Sequence, residues 1–106
     1  MPRYLVNATY THQGVQGLLK EGGTSRVAAV EKAMKGLGGS IEAFYFAFGD
    51  PDVVVIAEAP NNVTAAALSL IVSATGAVVT RTTVLLTPAE IDEAVKINMD
   101  YRPPGA

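Results

Sequence analysis

Two strand-like runs stand back to back near the middle of this chain, in AFYFAFGDPDVVVIAEAP (Ala43 to Pro60), and they limit its fold more than any other feature. Ser40 to Phe48 and Asp52 to Ala59 are rich in aromatic and β-branched side chains, which suit a pleated, half-buried surface. Only Gly49-Asp50-Pro51 separates them, turn-forming residues in a stretch too short for a helical crossover. The two runs therefore pair as an antiparallel hairpin, and the rest of the chain must be built around it.

On the N-terminal side, Arg3 to Thr11 alternates Tyr4, Val6, Ala8 and Tyr10 with Arg3, Asn7 and Thr9, broken only by Leu5, and reads as a half-buried strand. Val15, Leu18 and Leu19 then fall at helical spacing in THQGVQGLLKEGG, but Gly14, Gly17 and Gly22-Gly23 weaken the pattern to a short helix or turn ending near Glu21. TSRVAAVEKAMKGLGG repeats Val27, Val30, Met34 and Leu37 on one helical face, with Thr24 or Ser25 as its cap and Gly38-Gly39 as its stop. After the hairpin, Asn61 or Asn62 caps a helix that runs to about Thr75 and stops at Gly76, and Ala77 to Leu86 forms a fourth strand. Thr87-Pro88-Ala89-Glu90 is a capping-box signature for a last helix to about Ile97, leaving residues 98–106 as a tail.

The order β, α, β, β, α, β plus a terminal helix describes a single α+β domain over residues 1–106, of the ferredoxin-like plan. In that plan an antiparallel sheet carries both crossover helices on one face and leaves the other open. The second strand reads as apolar on both faces, Ile41, Ala43, Tyr45 and Ala47 on one and Phe44, Phe46 and Phe48 on the other, so the open face needs a cover. Composition agrees: 49% of residues are hydrophobic and 17% charged, against about 25% charged in ordinary soluble domains. A second copy packed sheet against sheet, as in a dimeric α+β barrel, would supply the cover, and a homodimer or higher oligomer is expected.

Other classes are disfavoured. The net charge is −2 and the basic residues are scattered from Arg3 to Arg102, which gives nucleic acid no footprint. With no cysteine, disulfides, thiolate metal sites and a cysteine nucleophile are excluded. The uncharged stretch between Glu58 and Arg81 is interrupted by Thr64, Ser69, Ser73, Thr75 and Gly76 and reads as a buried helix and strand, not a membrane span. MPRYLVNATY has no secretory pattern, so a cytoplasmic location is expected. GGTSR offers amides at a helix start, yet no Walker lysine or GxGxxG pattern accompanies it, and no cofactor is expected.

Taken together, GLLKEGG, LGGSIEAFYFAFG, VVVIAEAP, SATGAV, TTVLLTPAEID and YRPPG resemble the GYD family of small bacterial proteins over almost the whole chain. The resemblance implies a ferredoxin-like fold and dimers or larger assemblies, and it implies no activity. Gly49 and Asp52 match the residues that name the family, whereas Pro51 stands where its tyrosine is expected.

Five polar side chains are candidates for a ligand site: Tyr10, His12, Tyr45, Asp52 and Arg81. Four of them, all but Tyr10, also have a plainer explanation. Asp50 and Asp52 suit a turn and are too few oxygens for a hard cation, so no metal site is expected. His12, the only histidine, sits at the end of the first strand as a loop residue or a general base without an evident partner. Tyr45 belongs to an aromatic strand that serves a core or an interface, and Arg81 is expected to pair with Glu42 or Glu58 across the sheet. The leading functional expectation is a cofactor-free domain that binds a small apolar molecule or regulates through its assembly. The alternatives are a cofactor-independent oxygenase or isomerase with His12 or Asp52 as base, and an assembly subunit without ligand, which an empty pocket under roughly 300 Å³ would favour.

Overall fold

The computed structural model, which describes residues 1–106, builds one antiparallel sheet in the order β2-β3-β1-β4 from β1 (Arg3–Tyr10), β2 (Ser40–Phe46), β3 (Val53–Glu58) and β4 (Val78–Leu85). Helices α1 (His12–Glu21) and α2 (Gly23–Gly36) link β1 to β2, α3 (Asn62–Ala74) links β3 to β4, and α4 (Pro88–Ala94) follows β4. This is the α+β, ferredoxin-like arrangement, with the central hairpin and both crossovers where the sequence puts them.

Alternation decides which side chains meet the helices. Tyr4 and Ala8 of β1 and Val53, Val55 and Ala57 of β3 point to the helix face, where Met34 of α2 and Ala65 of α3 close on them as the buried core. Arg3, Leu5, Asn7 and Thr9 point to the outer face with Val54, Ile56 and Glu58. α2 lies over β2 and α3 over β4, the two edge strands, so the helices stand apart above the centre of the sheet. Ser69 and Ser73, which interrupt the apolar run of α3, pair with Thr82 and Thr80 of β4 at 2.9 and 3.3 Å.

Several local details differ from the sequence reading. β2 contains a bulge between Ile41 and Ala43, which leaves Glu42 without a partner in β3 and breaks the alternation. Ile41, Phe44 and Phe46 therefore share the helix face, opposite Ala57, Val55 and Val53, and Ala43 and Tyr45 are the only apolar residues of β2 left outside, with Ser40 and Glu42. α2 begins one residue after α1 ends: Gly22, at φ +83, is both the stop of one and the cap of the other, and neither Thr24 nor Ser25 caps. β2 stops at Phe46 and β3 starts at Val53, leaving a wider turn than expected, and α4 ends at Ala94, short of Ile97. The caps at Asn61 and Thr87 are formed as read, the latter as a full capping box.

The expected ion pair of Arg81 is not formed. Arg81 lies opposite Asn7, level with Val54, with β1 standing between it and β3. Arg3, which is directly opposite Glu58 and on the bulge side of the sheet, takes both carboxylates instead, at 3.0 Å from Glu42 and 3.1 Å from Glu58. No helix is long and apolar enough to cross a membrane.

Candidate functional site

At the end of β1 the chain bends sharply into α1, and Thr11 makes the bend. Its hydroxyl accepts the Gly14 N–H at 3.3 Å and donates to the Gly76 carbonyl at 2.8 Å, while its own N–H donates to the Ala77 carbonyl at 3.0 Å. Asp52 holds the same strand end from the other side. Its N–H donates to the Ala8 carbonyl at 3.0 Å, its carbonyl accepts the Ala47 N–H at 2.8 Å, and its carboxylate accepts the Tyr10 N–H at 2.9 Å. A side chain thus extends the β1–β3 ladder past Val53, and the Tyr10 ring is fixed toward the helices. The Asp50–Pro51 peptide in this turn is cis.

Two hollows meet at that ring. The inner one is a cleft of about 90 Å³ between α2 and α3, walled by apolar residues such as Val30, Met34, Phe44, Leu68 and Val72, with Tyr10 and Arg26 among its few polar groups. The outer one is an open hollow of about 390 Å³ at the hairpin end, lined by Tyr10, Val15, Leu18, Phe46, Phe48 and Asp52. Gly23 also borders it, and a methyl group there would stand 3.2 Å from the Phe46 ring.

The polar groups at this junction are suited to recognition. Burial pushes the Tyr10 phenol above its ordinary value; the Arg26 guanidinium pulls it partly back, and Glu21 and Asp52 add to the rise. The hydroxyl is therefore a neutral donor throughout the physiological range. Tyr4 spends its hydroxyl on Asn62 Oδ1 at 2.6 Å, whereas the Tyr10 hydroxyl has no hydrogen-bond partner in the chain. Arg26 Nη1 stands 4.0 Å from Glu21 Oε2, a loose and partly solvated pair of the kind that adds little stability.

Of the five sequence candidates, the structure brings together Tyr10 and Asp52. Tyr45 and Arg81 lie on the outer face, on opposite edge strands, three inter-strand spacings or about 14 Å apart. His12 is the first, exposed residue of α1 and lines neither hollow. Arg26 is the residue that the sequence reading passed over. Its signal was present: it precedes Val30 by four and Met34 by eight positions, which places a cation on the buried face of α2. No group of three or more His, Cys, Asp or Glu side chains is gathered where it could hold a metal ion.

A family model described as GYD domain matches residues 4–95, from the first core residue of β1 to the end of α4. The chain belongs to the GYD domain family. Neither the curated proteins nor the solved structures include a match to it. Within this GYD domain, the Asp52 carboxylate acts on the backbone of Tyr10. Asp52→Ala should leave that N–H without its acceptor and cost about 1–3 kcal/mol, whereas Asp52→Asn, which keeps an oxygen in place, should recover most of the loss. Equilibrium urea unfolding of both variants checks this; equal losses would mean that the carboxylate charge, not the hydrogen bond, matters.

Proposed function

We propose that this GYD domain binds a small molecule with an apolar body and one acceptor group, a carboxylate or carbonyl. The single observation that supports this is the position of Tyr10, whose ring borders both the outer hollow and the inner cleft beside Arg26. The ligand body rests against Phe46, Phe48, Val15 and Leu18, and its acceptor meets the Tyr10 hydroxyl and the Arg26 guanidinium. A few placed polar groups in an apolar lining are what such sites require.

The domain acts as a homo-oligomer in this reading. Leu5, Tyr45, Val54, Ile56 and Val79 form an apolar band on the outer sheet face between the polar residues of its ends, and a second sheet laid on it completes a dimeric α+β barrel. Binding is favoured over catalysis because His12 lines neither hollow and the Asp52 carboxylate is already engaged by a backbone N–H.

One observation favours a ligand-free assembly subunit: the inner cleft, at about 90 Å³, falls below the roughly 300 Å³ of ordinary ligand pockets. The outer hollow, at about 390 Å³, is what lifts the site into that range. Isothermal titration with naphthoate separates the two. Saturable binding is expected, weakened about tenfold in Arg26→Gln through loss of a charge-assisted hydrogen bond. Absence of saturable binding would favour the ligand-free subunit.

A further inference from the structure

The start of the C-terminal arm is specified by its own sequence, yet the arm packs only lightly on its own chain. The Thr87 hydroxyl accepts the Glu90 N–H at 3.1 Å and the Glu90 carboxylate accepts the Thr87 N–H at 2.9 Å, which fixes the start of α4. A helix of seven residues is well below the length, about 12–15 residues, at which helices persist alone in water. All residues from Ile91 to Ala106 are nevertheless exposed. The radius of gyration is 17.0 Å, against about 13 Å for a compact domain of this size, and the longest dimension is 56 Å.

Beyond α4 the pattern changes period. Ile97, Met99 and Tyr101 alternate with Asn98, Asp100 and Arg102, the signature of a half-buried strand, although no strand partner is present there. The sheet has two edges to offer. β2 is blunted by its bulge, a feature that discourages pairing, whereas β4 is a bulge-free run of eight residues without proline. Two further groups at the β4 edge lack partners. Arg81 forms no ion pair, and Val63 and Leu70 of α3 are 79% and 72% exposed on the flank turned away from the cleft.

We infer that residues Ile97–Arg102 of one copy add as a fifth strand to the β4 edge of a second copy. With Asp100 opposite Arg81 on the outer face, alternation places Ile97, Met99 and Tyr101 on the helix face, along the exposed flank of α3. One arrangement thus satisfies the unpaired cation, the unpaired edge and both apolar surfaces. This contact is separate from the sheet-face association of the preceding reading and does not depend on it.

The chain has no cysteine, so an introduced pair gives the only thiols. Full-length Arg81→Cys/Asp100→Cys should oxidise to a covalent dimer, while Tyr45→Cys/Asp100→Cys, which reports on the β2 edge, should not. An intramolecular disulfide, cross-linking through Tyr45→Cys, or no cross-link at all would overturn the assignment. Met99→Pro removes an N–H and a strand conformation at a residue that is exposed in the single chain, so it should leave thermal unfolding of the protomer unchanged. In sedimentation equilibrium it should weaken self-association by about 30-fold. Unchanged self-association, or a wild-type protein that is monomeric at its highest soluble concentration, would refute the proposal.

Discussion

Replacing Gly14 with alanine is expected to cost about 3–5 kcal/mol, whereas replacing Gly17, one turn along the same helix, should gain about 0.5–1 kcal/mol. The two sites differ only in what surrounds them. A Cβ on Gly14 would stand 2.1 Å from the Ala77 carbonyl oxygen and 2.9 Å from Cδ1 of Tyr10, while a Cβ on Gly17 meets nothing within 4 Å. The carbonyl cannot retreat cheaply, because it accepts the Thr11 N–H at 3.0 Å and its neighbour, the Gly76 carbonyl, accepts the Thr11 hydroxyl at 2.8 Å. Moving α1 away instead breaks those bonds and shifts Tyr10, so overpacking and lost hydrogen bonds add. At Gly17 only helix propensity is left to act. Urea unfolding followed by far-UV circular dichroism measures both. A Gly14→Ala variant within about 1 kcal/mol of wild type would contradict the tight junction described for β1, α1 and the α3–β4 loop.

Gly39→Ala should cost about 3–4 kcal/mol for a related reason at the opposite end of the sheet. The added Cβ would lie 2.3 Å from the Glu58 carbonyl oxygen and 2.8 Å from the Met34 Cε. Met34 is flexible and can yield, although it is a core residue, but the Glu58 carbonyl belongs to the last pair of β3, where Ser40 and Arg3 both stand opposite Glu58. Displacing it disturbs three strands. Gly38, the preceding residue, provides the comparison: it adopts φ +79 and its Cβ would touch only Cγ of Pro60, at 3.4 Å. Gly38→Ala therefore carries the left-handed penalty alone, about 1–2 kcal/mol, and should unfold at a higher urea midpoint than Gly39→Ala. The reverse order would show that the close approach of β2 to β3 is softer than described.

How far the sequence revealed these features depends on how local they are. Thr87 and Glu90 satisfy each other within four residues, and Asn61 caps α3 through the nearby Thr64 N–H, so both helix starts were legible. The central hairpin was legible because its turn residues and its β-branched flanks are contiguous. The bulge at Glu42 was not, since it is decided by which carbonyls of β3 the strand meets, and one extra residue reversed the facing of Ile41 relative to Ala43. The same non-local register gave both carboxylates to Arg3 and left Arg81 opposite Asn7. Asp52 stood out as a candidate site residue, but the partner its carboxylate takes is a backbone N–H forty-two positions away, which no pattern near residue 52 could show. The spacing of Arg26 to Val30 and Met34 puts it on their face of α2, but that this face borders a cleft is set by how α2 and α3 stand over the sheet, which no local pattern shows.

The central claim is that the helix side of the sheet receives a ligand at Tyr10 while the outer side serves assembly. Methyl-resolved NMR of the full-length protein titrated with naphthoate tests it most directly. Saturable shifts are predicted for Val15 and Leu18 in the hollow and for Val30, Met34 and Val72 in the cleft, with Leu5, Val54 and Val79 on the outer face unmoved. Shifts confined to the outer face, or no saturable shifts at all, would contradict it.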